Sequence, residues 1–146
     1  IVGPALLIKK LELIKQGTNL CTSVVAQALV YEYCRLGHLD GFLPKIISHY
    51  AKKRDAMDAA FKKYLPAGTK YNTPEGGFFF WLQVPGVDST KLFMKAIEHG
   101  VAFVTGPSFY ASEGEGKDFL RTCFTFAQPD EIEEGAKRLA AAINDK

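Results

Sequence analysis

The chain has 146 residues, with 18 Lys and Arg against 16 Asp and Glu for a net charge of +2, a balance that argues against nucleic acid or a membrane surface as partner. A chain of this length buries roughly two thirds of its unfolded surface, enough for one domain or for a piece of a larger one. Cys21, Cys34 and Cys123 lack metal spacing, and His38, His49 and His99 lie far apart; together with the lack of a signal peptide or of an apolar run near 18 residues, this predicts free thiols, no metal centre and a cytoplasmic location.

The opening Ile1-Val2-Gly3-Pro4, with no initiator Met, reads as the end of a strand or the turn after it and favours a piece of a larger protein. A mature serine protease also begins Ile-Val-Gly, but no Gly-Asp-Ser-Gly nucleophile loop follows. Leu6, Leu7, Leu11, Leu13 and Ile14 then recur at helical spacing, with Gly17 placed to end that helix. The side-chain oxygens of Thr18-Asn19-Leu20-Cys21-Thr22-Ser23 are able to cap a second helix from about Val24 to Leu36, stopped by Gly37.

Leu39 to Pro44 reads as a connector, with Pro44 suited to the first turn of the next helix. In that helix Ile46, Ile47, Tyr50, Met57, Phe61, Tyr64 and Leu65 form one stripe. Lys52-Lys53-Arg54 reads as a solvated face, and Pro66-Ala67-Gly68 ends the element. Beyond it the composition predicts a short extended segment over 69–73, a strand over 78–84, a helix from Asp88 to His99, strands over 101–104 and 120–126, and a last helix from Pro129 to about Ile143. The order β-α-β-β-α is that of a small α/β sandwich with helices on one face. Phe78-Phe79-Phe80-Trp81 lacks clean alternation, which predicts a strand covered on both faces. Glu113 to Lys117 reads as a mobile charged loop.

Within Phe119-Leu120-Arg121-Thr122-Cys123-Phe124 the flanking residues read as buried strand, so Arg121 carries a guanidinium to an expected core face and needs an anion. That anion is a ligand carboxylate, held by the planar fork, or one of Glu113, Glu115 and Asp118; a third reading has Arg121 snorkelling from an edge strand.

The stretches 74–81, 100–110 and Leu120-Arg121, with Ile1 to Pro4, 18–23 and Gln27 upstream, resemble the C-terminal portion of class I/II aminotransferases. These are fold-type-I enzymes that use pyridoxal phosphate, here in their 2-aminoadipate, aromatic and branched-chain group, and the resemblance covers the whole chain. It implies an α/β architecture: the end of the large domain and interface helices over 1–43, a long interdomain helix over 44–68, and a small C-terminal α/β domain over 69–146. It further implies an enzyme moving an amino group between an amino acid and a 2-oxo acid, as a homodimer or self-associating chain.

By that resemblance Arg121 is the substrate-carboxylate clamp, and the loops of Gly77 and Gly106 border the substrate pocket, although both glycines also read as ordinary turns. Phe109 and Tyr110 either pack near substrate or belong to the core. Asn19 lies near the partner subunit's cofactor, or its segment is a plain N-cap. No catalytic residue is expected in this chain. The family's Schiff-base lysine falls upstream of Ile1, while Lys9, Lys10 and Lys15 read as surface charges, so the chain alone is expected to be inactive. The alternative is a non-enzymatic aminotransferase-like module of a regulator, sensing ligand or mediating interaction.

Overall fold

The computed structural model describes residues 1–145 and divides into two compact units, Ile1–Lys45 and Ile46–Lys146. In the first, helix α1 spans Ala5–Thr18 and helix α2 spans Val24–Arg35, and neither buries a residue. The Ser23 hydroxyl caps α2 by accepting from the Ala26 N–H at 3.4 Å. Gly17 does not stop α1; the turn comes after Asn19, at Leu20, which adopts φ +54°.

Helix α3 spans His38–Tyr64 and runs from the first unit into the second. The expected connector over 39–44 is therefore helical. Leu36 and Gly37, the latter at φ +74°, make the turn, so helix resumes at His38 and Pro44 lies inside it. There it lacks the N–H that would pair with the Asp40 carbonyl.

The second unit continues with β1 (Lys70–Tyr71), β2 (Phe79–Gln83), α4 (Ser89–Glu98), β3 (Val104–Thr105), a 3-10 turn over Gly106–Phe109, β4 (Phe119–Cys123) and α5 (Pro129–Asn144). The strands form one sheet in the order β1-β2-β4-β3, antiparallel at every pairing. Of the expected strand over 101–104 only Val104 joins the sheet, together with Thr105 beyond it; the next residues tighten into the 3-10 turn around Pro107. Asp88 caps α4 by accepting from the Thr90 and Lys91 N–H groups, and Glu131 in the first turn of α5 accepts from the Gln128 N–H at 2.7 Å.

One sheet face carries Phe80, Leu82 and Leu120 into a core closed by Met57 and Phe61 of α3, Leu92 and Ala96 of α4, and Ile132, Ala136 and Leu139 of α5. Phe80 sits at its centre, edge-on to both Phe61 and Phe124 at 5.3 and 5.9 Å; each such buried ring contributes about 1.5–3 kcal/mol. The other face is not covered as expected. Along β2 the residues alternate, with Phe80 and Leu82 buried, Phe79 exposed and Trp81 half-buried.

Lys53 departs from the expected solvated face. It is only 4% exposed, and its Nζ donates to the carbonyls of Thr125 and Phe126 at 2.8 and 3.1 Å. Those carbonyls lie just past the end of β4, where the strand ladder no longer supplies partners, and the ammonium supplies the donor. Farther along α3, Asp58 accepts from Lys62 Nζ at 2.6 Å and from the Thr73 hydroxyl at 2.7 Å, tying the helix to the chain just past β1.

Candidate functional site

Alternation along β4 decides where Arg121 points. Leu120 enters the core, so Arg121 lies on the opposite, open face, and the expectation that it sits at a core face is corrected. It pairs with Trp81 of β2 on one side and Val104 of β3 on the other. Cζ lies over the Phe79 ring, 3.9 Å from its centroid, and 4.8 Å from the centroid of Phe109 in the 3-10 turn. Trp81 meets Phe109 edge-on at 5.1 Å and stacks on Phe119 at 5.5 Å, and Tyr110 stands 6.0 Å from Phe119. Arg121 is thus the cation of an aromatic wall.

Among the described residues no carboxylate comes within the 4.0 Å ion-pair distance of Arg121. Asp118, the nearest acid in sequence, accepts from Gln83 Nε2 at 2.7 Å instead, while Glu113 and Glu115 stand exposed on their loop. Cation–π contact satisfies the charge in part and consumes no N–H donor. The guanidinium therefore keeps the planar fork that matches a carboxylate.

The two glycines occupy different surroundings. Gly106 is buried where the 3-10 turn crosses the loop before β4. A Cβ there would collide with the Gly116 carbonyl and stand 2.6 Å from the Phe119 carbonyl oxygen, and the Gly106 N–H donates to Ser89 Oγ at 3.3 Å. Close packing alone requires this glycine. Gly77 has φ +76° with open space where a side chain would be. Along with Gly76 it borders a cavity of 260 Å³, walled also by Ile46, Tyr50, Arg54, Pro74 and Phe124. Arg121 is not part of that wall, so the structure sets Gly77 in a separate recess. Asn19 closes α1 in the first unit, where its Oδ1 accepts from Lys15 Nζ at 3.0 Å.

Two side chains of this constellation escaped the residue-by-residue reading. Phe79 looked like one member of a buried run, and Trp81 like another. The signal that places them is the β2 register, which puts Phe79 and Trp81 on the face of Arg121. Phe109 and Tyr110 are 45% and 37% exposed, so they are not core residues. Among the described residues no three His, Cys, Asp or Glu side chains gather as a metal site, and no helix is long and apolar enough to cross a membrane.

A family model described as aminotransferase class I and II matches residues 1–139. Aromatic-amino-acid aminotransferase 1 of Thermococcus litoralis is 41% identical over 140 residues, which are 95% of this chain and 33% of the relative. The crystal structure of Pyrococcus horikoshii kynurenine aminotransferase in complex with PMP, KYN as substrates and KYA as products superposes with a TM-score of 0.86 at 42% identity, over 97% of this chain and 35% of that one. That of the alpha-aminoadipate aminotransferase from Thermus thermophilus, complexed with N-(5'-phosphopyridoxyl)-L-leucine, gives 0.81 at 34% identity, over 98% and 36%. The chain spans about a third of the length of the relatives it matches.

Proposed function

The chain belongs to the class I and II aminotransferase family, and from that premise we propose that it is the substrate-carboxylate-binding, C-terminal part of a pyridoxal-phosphate-dependent aminotransferase. The complete protein exchanges an amino group between an amino acid and a 2-oxo acid. Arg121 holds the α-carboxylate, the one group common to both substrates. The observation that carries this reading is a guanidinium with no carboxylate partner among the described residues, displayed on a sheet face lined by Phe79, Trp81 and Phe109.

The PMP and phosphopyridoxyl ligands of the two solved relatives support pyridoxal phosphate as cofactor. Lys53 is the one buried lysine among the described residues, and its ammonium is committed to two backbone carbonyls. The role left to this chain is to bind and orient substrate. Gly106 shapes, by close packing, the turn that carries Phe109 beside Arg121, and Gly77 is assigned to the substrate pocket by the family resemblance alone, since its recess does not include Arg121.

We also propose that the complete enzyme is a cytoplasmic homodimer, with residues 1–43 meeting the remainder of the large domain and the second subunit, and with Asn19 near the partner's cofactor. Supporting this, α1 and α2 bury nothing within the chain, while Leu6, Ile14, Val24 and Leu29 are each more than half exposed.

The test is Arg121→Ala and Arg121→Lys in the full-length enzyme. Alanine leaves a desolvated carboxylate without its partner, a loss on the order of 2–5 kcal/mol. Each roughly 1.4 kcal/mol is tenfold in kcat/KM, for amino-acid and 2-oxo-acid substrates alike. Lysine keeps the charge but not the paired geometry, so it should fall between. Near-normal efficiency, or loss of cofactor in place of substrate binding, would show the assignment to be wrong.

A further inference from the structure

Phe79 and Phe109 are large apolar side chains, 42% and 45% exposed, on the sheet face turned away from the core. Burial within this chain does not explain them. What they share is the Arg121 guanidinium, at 3.9 and 4.8 Å from their ring centroids. They reach it from separate elements: Phe79 begins β2, next to β4, and Phe109 ends the 3-10 turn that follows β3. Trp81 braces Phe109 edge-on and is itself stacked on Phe119, so the ring that touches the cation rests on a second aromatic layer.

An arginine side chain has many rotamers, and without an ion-pair partner nothing electrostatic would select one. A ring under the guanidinium attracts it through the quadrupole and leaves its N–H donors for a carboxylate. We infer that Phe79 and Phe109 are positioning residues that hold the Arg121 fork ready for the substrate carboxylate through their π faces. This rests on the reading of Arg121 as the carboxylate clamp.

The experiment uses the full-length holoenzyme and the unreactive carboxylate hydrocinnamate as probe, titrated calorimetrically beside steady-state kinetics. Phe79→Leu and Phe109→Leu keep apolar bulk but remove the π face. Each should raise the hydrocinnamate Kd and the KM for both substrates by about three- to tenfold, with kcat within about twofold and the melting temperature close to wild type. Phe79→Tyr keeps the π face and should restore binding. In an Arg121→Ala background Phe79→Leu should weaken hydrocinnamate no further, because its effect passes through the guanidinium.

Leucine variants that bind like wild type, a tyrosine variant as weak as leucine, or an additional loss in the Arg121→Ala background would each overturn the inference; the last would make Phe79 a direct ligand contact. If Arg121→Ala itself binds hydrocinnamate normally, the clamp reading has failed. If Arg121→Ala fails to bind while both leucine variants bind normally, only the positioning role has failed. Should Phe79→Leu not fold, Phe109→Leu carries the same comparison.

Discussion

Replacing Lys53 with methionine keeps the apolar stem in the interior and deletes the ammonium that joins α3 to the end of β4. Two acceptors lose a charged donor, the carbonyls of Thr125 and Phe126 at 2.8 and 3.1 Å. They will not suffer equally. Phe126 is 96% exposed and its carbonyl can turn to water, whereas Thr125 is half-buried. One orphaned acceptor costs about 1–3 kcal/mol, offset in part because an ammonium no longer has to be taken out of water. The expected net loss is about 2 kcal/mol, which lowers the melting temperature of a unit of about 100 residues by roughly 8–16 °C. Thermal unfolding followed by circular dichroism reads this directly, with the exposed neighbour Lys52→Met as control, expected within about 0.5 kcal/mol of wild type. Equal melting temperatures for the two variants would refute the argument that the buried ammonium holds the strand end.

Gly106→Ala forces a Cβ against the Gly116 and Phe119 carbonyls and should cost about 1–3 kcal/mol in urea unfolding, while Gly76→Ala, which points into open space, should change stability by no more than about 0.5 kcal/mol. Burial acts to raise the Asp58 pKa, but hydrogen bonds from Lys62 and Thr73 outweigh it and hold the carboxyl below its ordinary value of 3.8. A depressed folded-state pKa contributes stability that is present above the unfolded value and lost as pH falls through the folded one. Thr73→Val should therefore flatten the fall of the urea midpoint below about pH 4, and an unchanged slope would count against the Thr73 contribution.

Local chemistry was legible where neighbouring residues decide the outcome: the run 18–23 as a helix cap, Asp88 opening a helix, Gly37 as a turn, Pro129 opening the last helix. What stayed hidden depends on partners distant in sequence. Lys53 reads as one charge in a charged triplet, because the carbonyls that draw it inward lie more than 70 residues away. Pro44 reads as a helix start because proline loses no hydrogen bond there, whereas α3 has already begun at His38 and runs through it. The face of Arg121 was misread for another reason. Phe79 and Phe119 place apolar bulk on the open side of the sheet and mask the period of two. Hydrophobicity does not distinguish a ring that fills a core from one that supports a cation.

The sheet ends on both sides in strands of two residues, β1 and β3. Templated strand addition needs a row of unpaired N–H and C=O groups long enough to register an incoming chain, and two residues, with Lys70 on one of the margins, offer none. Contact between copies of this chain is thereby expected to run through side-chain surfaces in preference to backbone pairing. Concentrating the protein should produce clusters that disperse on dilution, with no growth in β signal and no thioflavin fluorescence, even though so many apolar side chains face the solvent.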